Sequence, residues 1–427
     1  MEISIKESTM VFPAKETPEE RLWVSNLDLV QIRFHPVSVY FYNKPDGSSN
    51  FFDTQVLKDA LSEILVPFYP AAGRLQYDED GRLEIMCNGK GVLFIEAEAS
   101  CVMDDLVRDF TDSSRVPDLA PKVDYSGGIS SYPLVALQVT TFKCGGVSVG
   151  VALQHTLADG PSALHFINSW ADRARGLPLE VPPFLNRTIL KARSPPTPKF
   201  NHIEFDPSPP LKNPVSGEPK PSVVSLFKIT NKQLNTLKSK INEKFSSYSI
   251  LAAHIWRCVT KARGLTDDQQ TRLFMPIDGR RRLDPPCPPG YFGNVIVFPA
   301  TLAQANDLEF EPFSETVRRI SKVLRETNDD YLRSTIDYIE TVDDISSVVR
   351  GPHVITSPSL TINSWVWLPV HDADFGWGRP LFMRPANVVL EGIVLVLPSP
   401  TDDGSLTIVA RLETSHTKVF EKLLYDI

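Results

Sequence analysis

The sequence has 427 residues, of which 42% are hydrophobic and 22% are charged, and its formal net charge is −8. These values are typical of a soluble globular protein with a large core and two or three domains. Its 44 basic residues are outnumbered by 52 acidic ones. This balance argues against a nucleic-acid-binding protein, which usually carries a strong basic excess.

The cysteines, histidines and apolar runs indicate a cytoplasmic location and no metal site. The five cysteines lie far apart without a C-x-x-C pair, which predicts reduced thiols rather than disulfides or a zinc cluster. No H-x-x-x-H or H-E-x-x-H pattern is present. The first residues do not resemble a secretory signal, and no apolar run is long enough to cross a membrane.

Strand and helix patterns alternate along the chain and predict a mixed α/β fold. Residues 133–142 and 145–153 read as strands, and Pro161 opens a helix that continues to Arg175. Proline is tolerated in the first turn of a helix, and Asp159 with Gly160 suits the turn before it.

A proline-rich segment marks the boundary between two halves. Residues 195–221 contain nine prolines out of 36 in the whole chain, a density that blocks helices and favours extended chain. We therefore predict an N-terminal domain over 1–190, a crossover linker over 191–221 and a C-terminal domain over 222–427. The alternative is one large surface loop within a single domain.

The second half continues the α/β pattern. Residues 231–242 predict an amphipathic helix, and residues 248–263 predict a buried one. Residues 392–412 read as two strands joined by a loop that contains Asp402, Asp403 and Gly404.

Residues 146–150 match the G-x-S-x-G string of serine hydrolases, with Ser148 as the candidate nucleophile. A nucleophile elbow requires a tight turn between a strand and a helix, but Ser148 lies inside a continuous apolar run. The glycines at 145, 146 and 150 are better explained as close-packing or bulge positions in a strand. A serine hydrolase is therefore a remote alternative.

His155 has a better position for chemistry, because it ends a predicted strand just before a turn and a helix. It begins an H-x-x-x-D-G string that includes Asp159 and Gly160. This short string is weak evidence when it stands alone. The local pattern is therefore compatible with either a catalytic or a structural role for His155.

A second unusual stretch, residues 363–380, holds three tryptophans and the string D-F-G at 374–376. The string matches the magnesium-binding motif of protein kinases, but the H-R-D, glycine-rich and V-A-I-K motifs are missing. The alternative is a tight glycine-rich loop in which Asp374 satisfies backbone amides or pairs with an arginine.

These stretches together resemble one family. H-x-x-x-D-G at 155–160, D-F-G-W-G at 374–378, VPFYPAAGRL at 66–75 and YFGNV at 291–295 are similar to the plant BAHD acyltransferases. Further stretches, including STMVFPAKETP, LWVSNLDLV and HDADFGWGRP, resemble the hydroxycinnamoyl-CoA shikimate/quinate hydroxycinnamoyltransferase clade.

The resemblance implies two chloramphenicol-acetyltransferase-like domains with a channel between them, and a monomer. His155 would be the general base, and the indole N–H of Trp377 would stabilise the oxyanion. Asp159 would support the His155 loop through an arginine, with Gly160 in the same motif, and Asp374 would pair with Arg280. No cofactor would be permanently bound.

Acyl-coenzyme A would be the co-substrate, and its phosphates require cations or helix N-termini. The candidate cations are Arg280, Arg281, Arg282 and the lysines from Lys232 to Lys240. Ser246 and Ser247 lie where members of the family contact coenzyme A.

This chain departs from its relatives where the acceptor alcohol would bind. The relatives have W-x-R-L-P, whose arginine holds the acceptor carboxylate, but here Trp367 takes the arginine position. The predicted acceptor-binding residues are Pro36, Ser38, Tyr40, Trp367, Arg384 and Leu390. Gln154, which replaces a histidine of the relatives, should point away from His155 and have little effect.

We therefore expect transfer of a p-coumaroyl or caffeoyl group to an acceptor hydroxyl other than that of shikimate or quinate. The alternatives are a shikimate/quinate transferase proper or acylation of an amine. Arg384 could also supply the missing cation from another direction.

Overall fold

We describe the protein from a computed structural model, which covers residues 2–48, 50–107, 115–212, 220–401 and 403–427. Asp402 and residues 213–219 of the predicted crossover lie outside these ranges. The strands are β1 (Ile3–Val11), β2 (Glu20–Trp23), β3 (Val37–Tyr42), β4 (Arg74–Tyr77), β5 (Leu83–Cys87), β6 (Val92–Ala99), β7 (Val135–Phe142), β8 (Val147–Leu153), β9 (Ser222–Ile229), β10 (Gln270–Phe274), β11 (Ile277–Asp278), β12 (Ile296–Val297), β13 (Ala300–Gln304), β14 (Leu360–Ser364), β15 (Phe382–Pro385), β16 (Ile393–Pro398) and β17 (Leu406–Glu413). The α-helices are α1 (Asn26–Leu29), α2 (Thr54–Ile64), α3 (Asp104–Val107), α4 (Gly160–Ala174), α5 (Asn231–Ser239), α6 (Ser247–Ala262), α7 (Ala305–Phe310), α8 (Phe313–Glu326), α9 (Asp329–Glu340) and α10 (Thr414–Tyr425).

The chain divides into two units. Unit 1 comprises Met1–Lys191, Cys287–Val295 and Leu368–Asn387, and unit 2 comprises Ala192–Pro286, Ile296–Trp367 and Val388–Ile427. Unit 2 begins at Ala192, so it includes nearly all of the crossover predicted over 191–221. Two segments within the predicted C-terminal range, Cys287–Val295 and Leu368–Asn387, cluster with unit 1, and the second carries the D-F-G-W-G loop.

Unit 1 is built on a six-stranded sheet with the order β1-β6-β7-β8-β3-β15. Strand β15 pairs antiparallel with β3, which explains why its segment joins unit 1 despite its position late in the chain. Every residue of β8 is buried, as expected for an apolar strand between two neighbours. A Cβ at Gly150 would lie 2.2 Å from the Leu119 carbonyl oxygen, so this glycine permits close packing, as the sequence predicted.

Unit 2 contains a second six-stranded sheet, with the order β13-β10-β14-β16-β17-β9. The predicted helices are confirmed as α5 and α6, and the predicted strand pair is confirmed as β16 and β17. Thr230 and Ser246 cap the two helices through their side chains, which fixes where each helix begins.

The described part of the proline-rich crossover is fixed on α9 within unit 2. The side chain of Arg193 donates to Asp337 Oδ2 at 2.7 Å, and the backbone N–H of Thr197 donates to the same oxygen at 2.7 Å. Ser334 Oγ accepts the backbone N–H groups of Lys199 and Phe200. The segment therefore behaves as an ordered strap over this helix.

The five cysteines are free thiols. Within the described ranges, no helix combines the length and the apolarity needed to cross a bilayer.

Candidate active site

Ser148 is not placed to act as a nucleophile. It is fully buried in the middle of β8, where it pairs with Phe41 of β3 and Thr140 of β7. The strand continues on both sides, so the turn that a nucleophile elbow requires is missing at this point. The sequence-based rejection of a serine hydrolase is thus supported.

His155 follows the end of β8, where the sequence predicted it. Its backbone N–H donates to the Phe34 carbonyl oxygen at 3.1 Å, which ties the residue to the chain leading into β3. Burial lowers the pKa of its imidazole, against the opposing effects of its own carbonyl oxygen and the Asp159 carboxylate. Neutral imidazole is the form that accepts a proton, so this environment favours a general base.

Asp159 caps α4 and thereby fixes the exit of the His155 loop. Its Oδ1 accepts the Ser162 N–H at 3.1 Å, and its Oδ2 accepts the Val295 N–H at 2.9 Å. Gly160 begins the helix, and a Cβ there would make an ordinary contact, 3.5 Å from Leu368. The predicted support of the loop by Asp159 therefore acts through backbone amides, and its predicted arginine partner stays a prediction.

The arginine that holds this loop is Arg187, which was not among the predicted site residues. Its guanidinium donates to the Thr156 carbonyl oxygen at 3.2 Å and to that of Leu157 at 2.7 Å. It also forms an ion pair with Asp28 at 3.2 Å, and both side chains are fully buried. No local pattern marks Arg187, because its partners lie far away in the sequence.

Asn294 completes the support from the YFGNV segment. Its Nδ2 donates to Asp28 Oδ1 at 2.8 Å and to the His155 carbonyl oxygen at 2.9 Å. We name Asp28, Arg187 and Asn294 the buried clamp. Asp28 and Asn294 lie in stretches quoted above for the family resemblance, but no local pattern assigns them a role.

The D-F-G-W-G loop is closed by its own aspartate. Asp374 Oδ1 accepts the N–H of Gly376 at 2.8 Å and that of Gly378 at 3.0 Å. Both glycines have φ near 103–104°, a conformation that favours glycine. Asp374 Oδ2 lies 3.7 Å from Arg175 Nη1, whereas Arg280 donates to Asp278 at 3.0 Å. The predicted pairing of Asp374 with Arg280 stays a prediction.

Trp377 packs in an aromatic cluster of unit 1. Its ring lies 5.0 Å from that of Phe52 at an angle of 31°, and 6.1 Å from that of Phe51. Phe375, from the same loop, packs edge-on against Trp170 at 4.6 Å. No hydrogen bond or ring contact in the described part of the chain joins Trp377 to His155, so the oxyanion role stays a prediction.

The predicted acceptor residues of unit 1 lie on two faces of one sheet. Side chains alternate along β3, and the register pairs Arg384 with Val39, so Arg384 shares the face opposite Ser38 and Tyr40. The Tyr40 hydroxyl is buried and has no hydrogen-bond partner among the described residues. Arg384 is 1% exposed, and burial lowers the pKa of its guanidinium to about 10. This placement argues against Arg384 as a partner of an acceptor bound by Ser38 and Tyr40.

Trp367 and Leu390 belong to unit 2 and differ in exposure. Trp367 is 94% exposed, so it does not act as a space-filling core residue. It lines a groove of about 290 Å³ that also contains Ser247 and Tyr248. Leu390 is partly buried against the apolar cluster that includes Phe274. Pro36, in unit 1, is exposed.

The predicted coenzyme A residues are distributed around α6 and β11. Ser246 caps α6 by accepting the Ser249 N–H at 3.0 Å, and Ser247 is the first residue of that helix. Arg281 is exposed, but Arg282 Nη1 donates to the carbonyl oxygens of Leu324 and Thr327. Arg282 therefore stabilises the C-terminal end of α8. Among the described residues, no group of three or more His, Cys, Asp or Glu side chains is arranged to hold a metal ion.

Comparisons with known proteins agree with this arrangement. The model of the Transferase family matches residues 1–427. The chain is 53% identical to a shikimate O-hydroxycinnamoyltransferase of Nicotiana tabacum, with 100% of both chains covered. It is 50% identical, also over 100% of both chains, to a hydroxycinnamoyl-CoA:5-hydroxyanthranilate N-hydroxycinnamoyltransferase of Avena sativa. Among solved structures, vinorine synthase matches with a TM-score of 0.79 at 22% identity, covering 98% of this chain and 96% of the other.

The chain has the fold of two chloramphenicol-acetyltransferase-like domains. The matches over its full length make it an acyltransferase. The full-length match places the molecule more narrowly. The chain belongs to the plant BAHD family of acyl-CoA-dependent acyltransferases.

Proposed function

We propose that this enzyme transfers a hydroxycinnamoyl group from its coenzyme A thioester to an acceptor hydroxyl, with His155 as the general base. The observation that carries the proposal is the single histidine at the end of β8, held by a buried clamp in an environment that favours its neutral form. Relatives named as hydroxycinnamoyltransferases match the chain over its whole length.

The chemistry requires only one proton carrier. His155 Nε2 takes the acceptor O–H proton while the oxygen attacks the thioester carbonyl carbon. The tetrahedral intermediate then collapses, the C–S bond breaks, and the imidazolium returns its proton to the departing thiolate. The products are the ester and free coenzyme A thiol. Because the thioester is already activated, no acyl-enzyme is needed.

Coenzyme A contacts are proposed at Ser246, Ser247 and Arg281. The N-terminal end of α6 has a partial positive charge that favours phosphate or polar groups of the cofactor. Trp377 is proposed to donate its indole N–H to the oxyanion. Arg282 is left out of the proposed set, because the carbonyl groups at the end of α8 already engage it.

Trp367 is proposed to turn the acceptor preference away from shikimate and quinate. An indole supplies a flat apolar surface in place of a guanidinium that binds a carboxylate in two places. Its 94% exposure supports a contact with substrate more than a role in packing. Loss of a charge-assisted contact typically costs about 1.5–3 kcal/mol, which is roughly a tenfold to hundredfold change in selectivity.

An amine acceptor is the second candidate, because relatives that match the full chain are named as N-acyltransferases acting on hydroxyanthranilate and anthranilate. A relative named rosmarinate synthase, at 47% identity, adds an acid with a free hydroxyl to the candidates. The proposed chemistry is the same for an amine, with nitrogen as the attacking atom.

The test is an acceptor screen with p-coumaroyl-CoA and caffeoyl-CoA, followed by release of free thiol. The acceptors are shikimate, quinate, 4-hydroxyphenyllactate, phenylethanoid glycosides, hydroxyanthranilate and polyamines, and Trp367→Arg is assayed in parallel. We expect shikimate to be slow with the native enzyme and faster with the variant. Shikimate as the best native acceptor would refute the role of Trp367.

Because Trp367 and Ser247 line the same groove, the screen must separate donor from acceptor effects. We expect Trp367→Arg to change the KM of the acceptor and to leave the KM of p-coumaroyl-CoA within about twofold. A change confined to the KM of the thioester would assign Trp367 to the donor instead.

A further inference from the structure

Asn294 of the YFGNV segment lies directly behind the catalytic loop and has no role in the chemistry described so far. It is fully buried. Its backbone N–H and its Nδ2 both donate to Asp28 Oδ1 at 2.8 Å, and Nδ2 also donates to the His155 carbonyl oxygen at 2.9 Å. One amide side chain thus links a buried carboxylate to the backbone of the proposed base.

The neighbours of Asn294 fix which way its amide points. A carboxylate and a carbonyl oxygen can only accept hydrogen bonds, so the nitrogen must face Asp28 and the His155 carbonyl. The remaining polar atom of the amide is the oxygen, Oδ1. It is buried and has no hydrogen-bond partner among the described residues.

The ring of His155 has the complementary unpaired atom. His155 Nδ1 is also buried without a hydrogen-bond partner in the described part of the chain. A neutral imidazole that uses Nε2 as its basic atom must carry its proton on Nδ1. The Asn294 side chain also interacts with the His155 ring and raises its pKa, so the two side chains are neighbours. One has a buried N–H that requires an acceptor, and the other has a buried oxygen that requires a donor.

We propose that Asn294 is a positioning residue for His155. Its Nδ2 anchors the His155 backbone to Asp28, and its Oδ1 accepts the Nδ1–H of the ring, which leaves Nε2 free to take the acceptor proton. The inference rests on the proposed function, because it requires His155 to be the base.

Several polar and charged groups around His155 raise the pKa of its imidazole and oppose the effect of burial. Burial lowers the pKa of His155, whereas its own carbonyl, the Asp159 carboxylate, the Asn294 side chain and the Asp28 carboxylate raise it. Arg187 is the cation of the clamp, and it is paired with Asp28 at 3.2 Å. Removing the Asn294 hydrogen bond or the Asp28 charge should therefore lower the pKa of His155 further.

The experiment compares Asn294→Ala and Asp28→Asn with the native enzyme. The pH dependence of kcat/KM is measured with p-coumaroyl-CoA and the best acceptor. Because the neutral base is the active form, we expect the acid limb of the profile to move to lower pH in both variants. Asn294→Ala should lose at least about tenfold in kcat, with the KM of p-coumaroyl-CoA changed less than about twofold.

A matched control separates positioning from loss of stability. Asp337 is a buried carboxylate of unit 2 that accepts from Arg193 at 2.7 Å, so Asp337→Asn should lower the melting temperature without moving the acid limb. An acid limb in Asn294→Ala that coincides with the native one would overturn the positioning role. If neither clamp variant folds, NMR of the native enzyme labelled with ¹⁵N-histidine decides the matter. The Nδ1–H tautomer is expected for His155, and the Nε2–H tautomer would overturn the inference.

The outcomes also distinguish this inference from the proposed function. Activity that survives His155→Ala would show that the proposed base is wrong. An inactive His155→Ala together with an unmoved acid limb in Asn294→Ala would refute the role of Asn294 alone.

Discussion

Asp374 supports the D-F-G-W-G loop, and its removal should damage stability together with activity. Asp374→Ala removes the acceptor of two N–H groups, at 2.8 and 3.0 Å, from glycines that adopt positive φ. Hydrogen bonds to a charged acceptor contribute about 1.5–3 kcal/mol each, and a partly exposed pair such as Asp374 with Arg175 adds less than about 1 kcal/mol. The loop can be reached by water, so we expect the lower end, about 3 kcal/mol.

For a unit of this size, that loss corresponds to a melting temperature lower by roughly 6–12 °C. The assay combines thermal unfolding, urea unfolding and kcat for Asp374→Ala, with Asp374→Asn as the matched control. The asparagine keeps one acceptor oxygen without the charge, so its melting temperature should lie between those of Asp374→Ala and the native enzyme. An Asp374→Ala protein with native stability but without activity would refute this reasoning and would assign Asp374 a direct part in the reaction.

Three further predictions concern His35, Ser148 and Trp377. Burial lowers the pKa of His35 to about 4, so the unfolded chain, with a pKa near 6.5, binds more protons between these values. The free energy of unfolding should fall as pH decreases from 6.5 to 4, and urea midpoints of His35→Phe should show a smaller fall. Ser148→Ala should keep native activity, and mass spectrometry of the native enzyme mixed with thioester should show no covalent acyl group; an acyl adduct would restore the hydrolase alternative. Trp377→Phe should keep the ring packing on Phe52 but lose roughly 10²–10³ in kcat if the indole N–H binds the oxyanion, and an unchanged kcat would remove that role.

Local chemistry made several elements predictable from sequence. The helices α5 and α6 were predicted from apolar periodicity, and their starts agree with capping by Thr230 and Ser246. The turn before α4 was predicted from Asp159 and Gly160, and in the structure Asp159 caps this helix. In each case the determining contacts lie within a few residues, where sequence patterns are informative.

Long-range contacts account for what the sequence did not reveal. The segment with β15 joins unit 1 through pairing with β3, although more than 300 residues separate them. Asn294 and Asp28 are 266 residues apart, and Arg187 matches no motif. A single polar residue leaves no periodic pattern, so its place in a buried clamp becomes visible only when the chain is folded. The register likewise separates Arg384 from Ser38 and Tyr40, which the sequence had grouped as acceptor residues.

The most direct test of the account is the release of free thiol from p-coumaroyl-CoA by the native enzyme and by His155→Ala. Each protein is assayed with and without the best acceptor, after thermal unfolding has shown that the two have the same melting temperature. We predict release that requires the acceptor in the native enzyme, and a loss of at least about 10²-fold in the variant, as expected for removal of a general base. A folded His155→Ala enzyme that still transfers the acyl group at near-native rate would contradict the central claim.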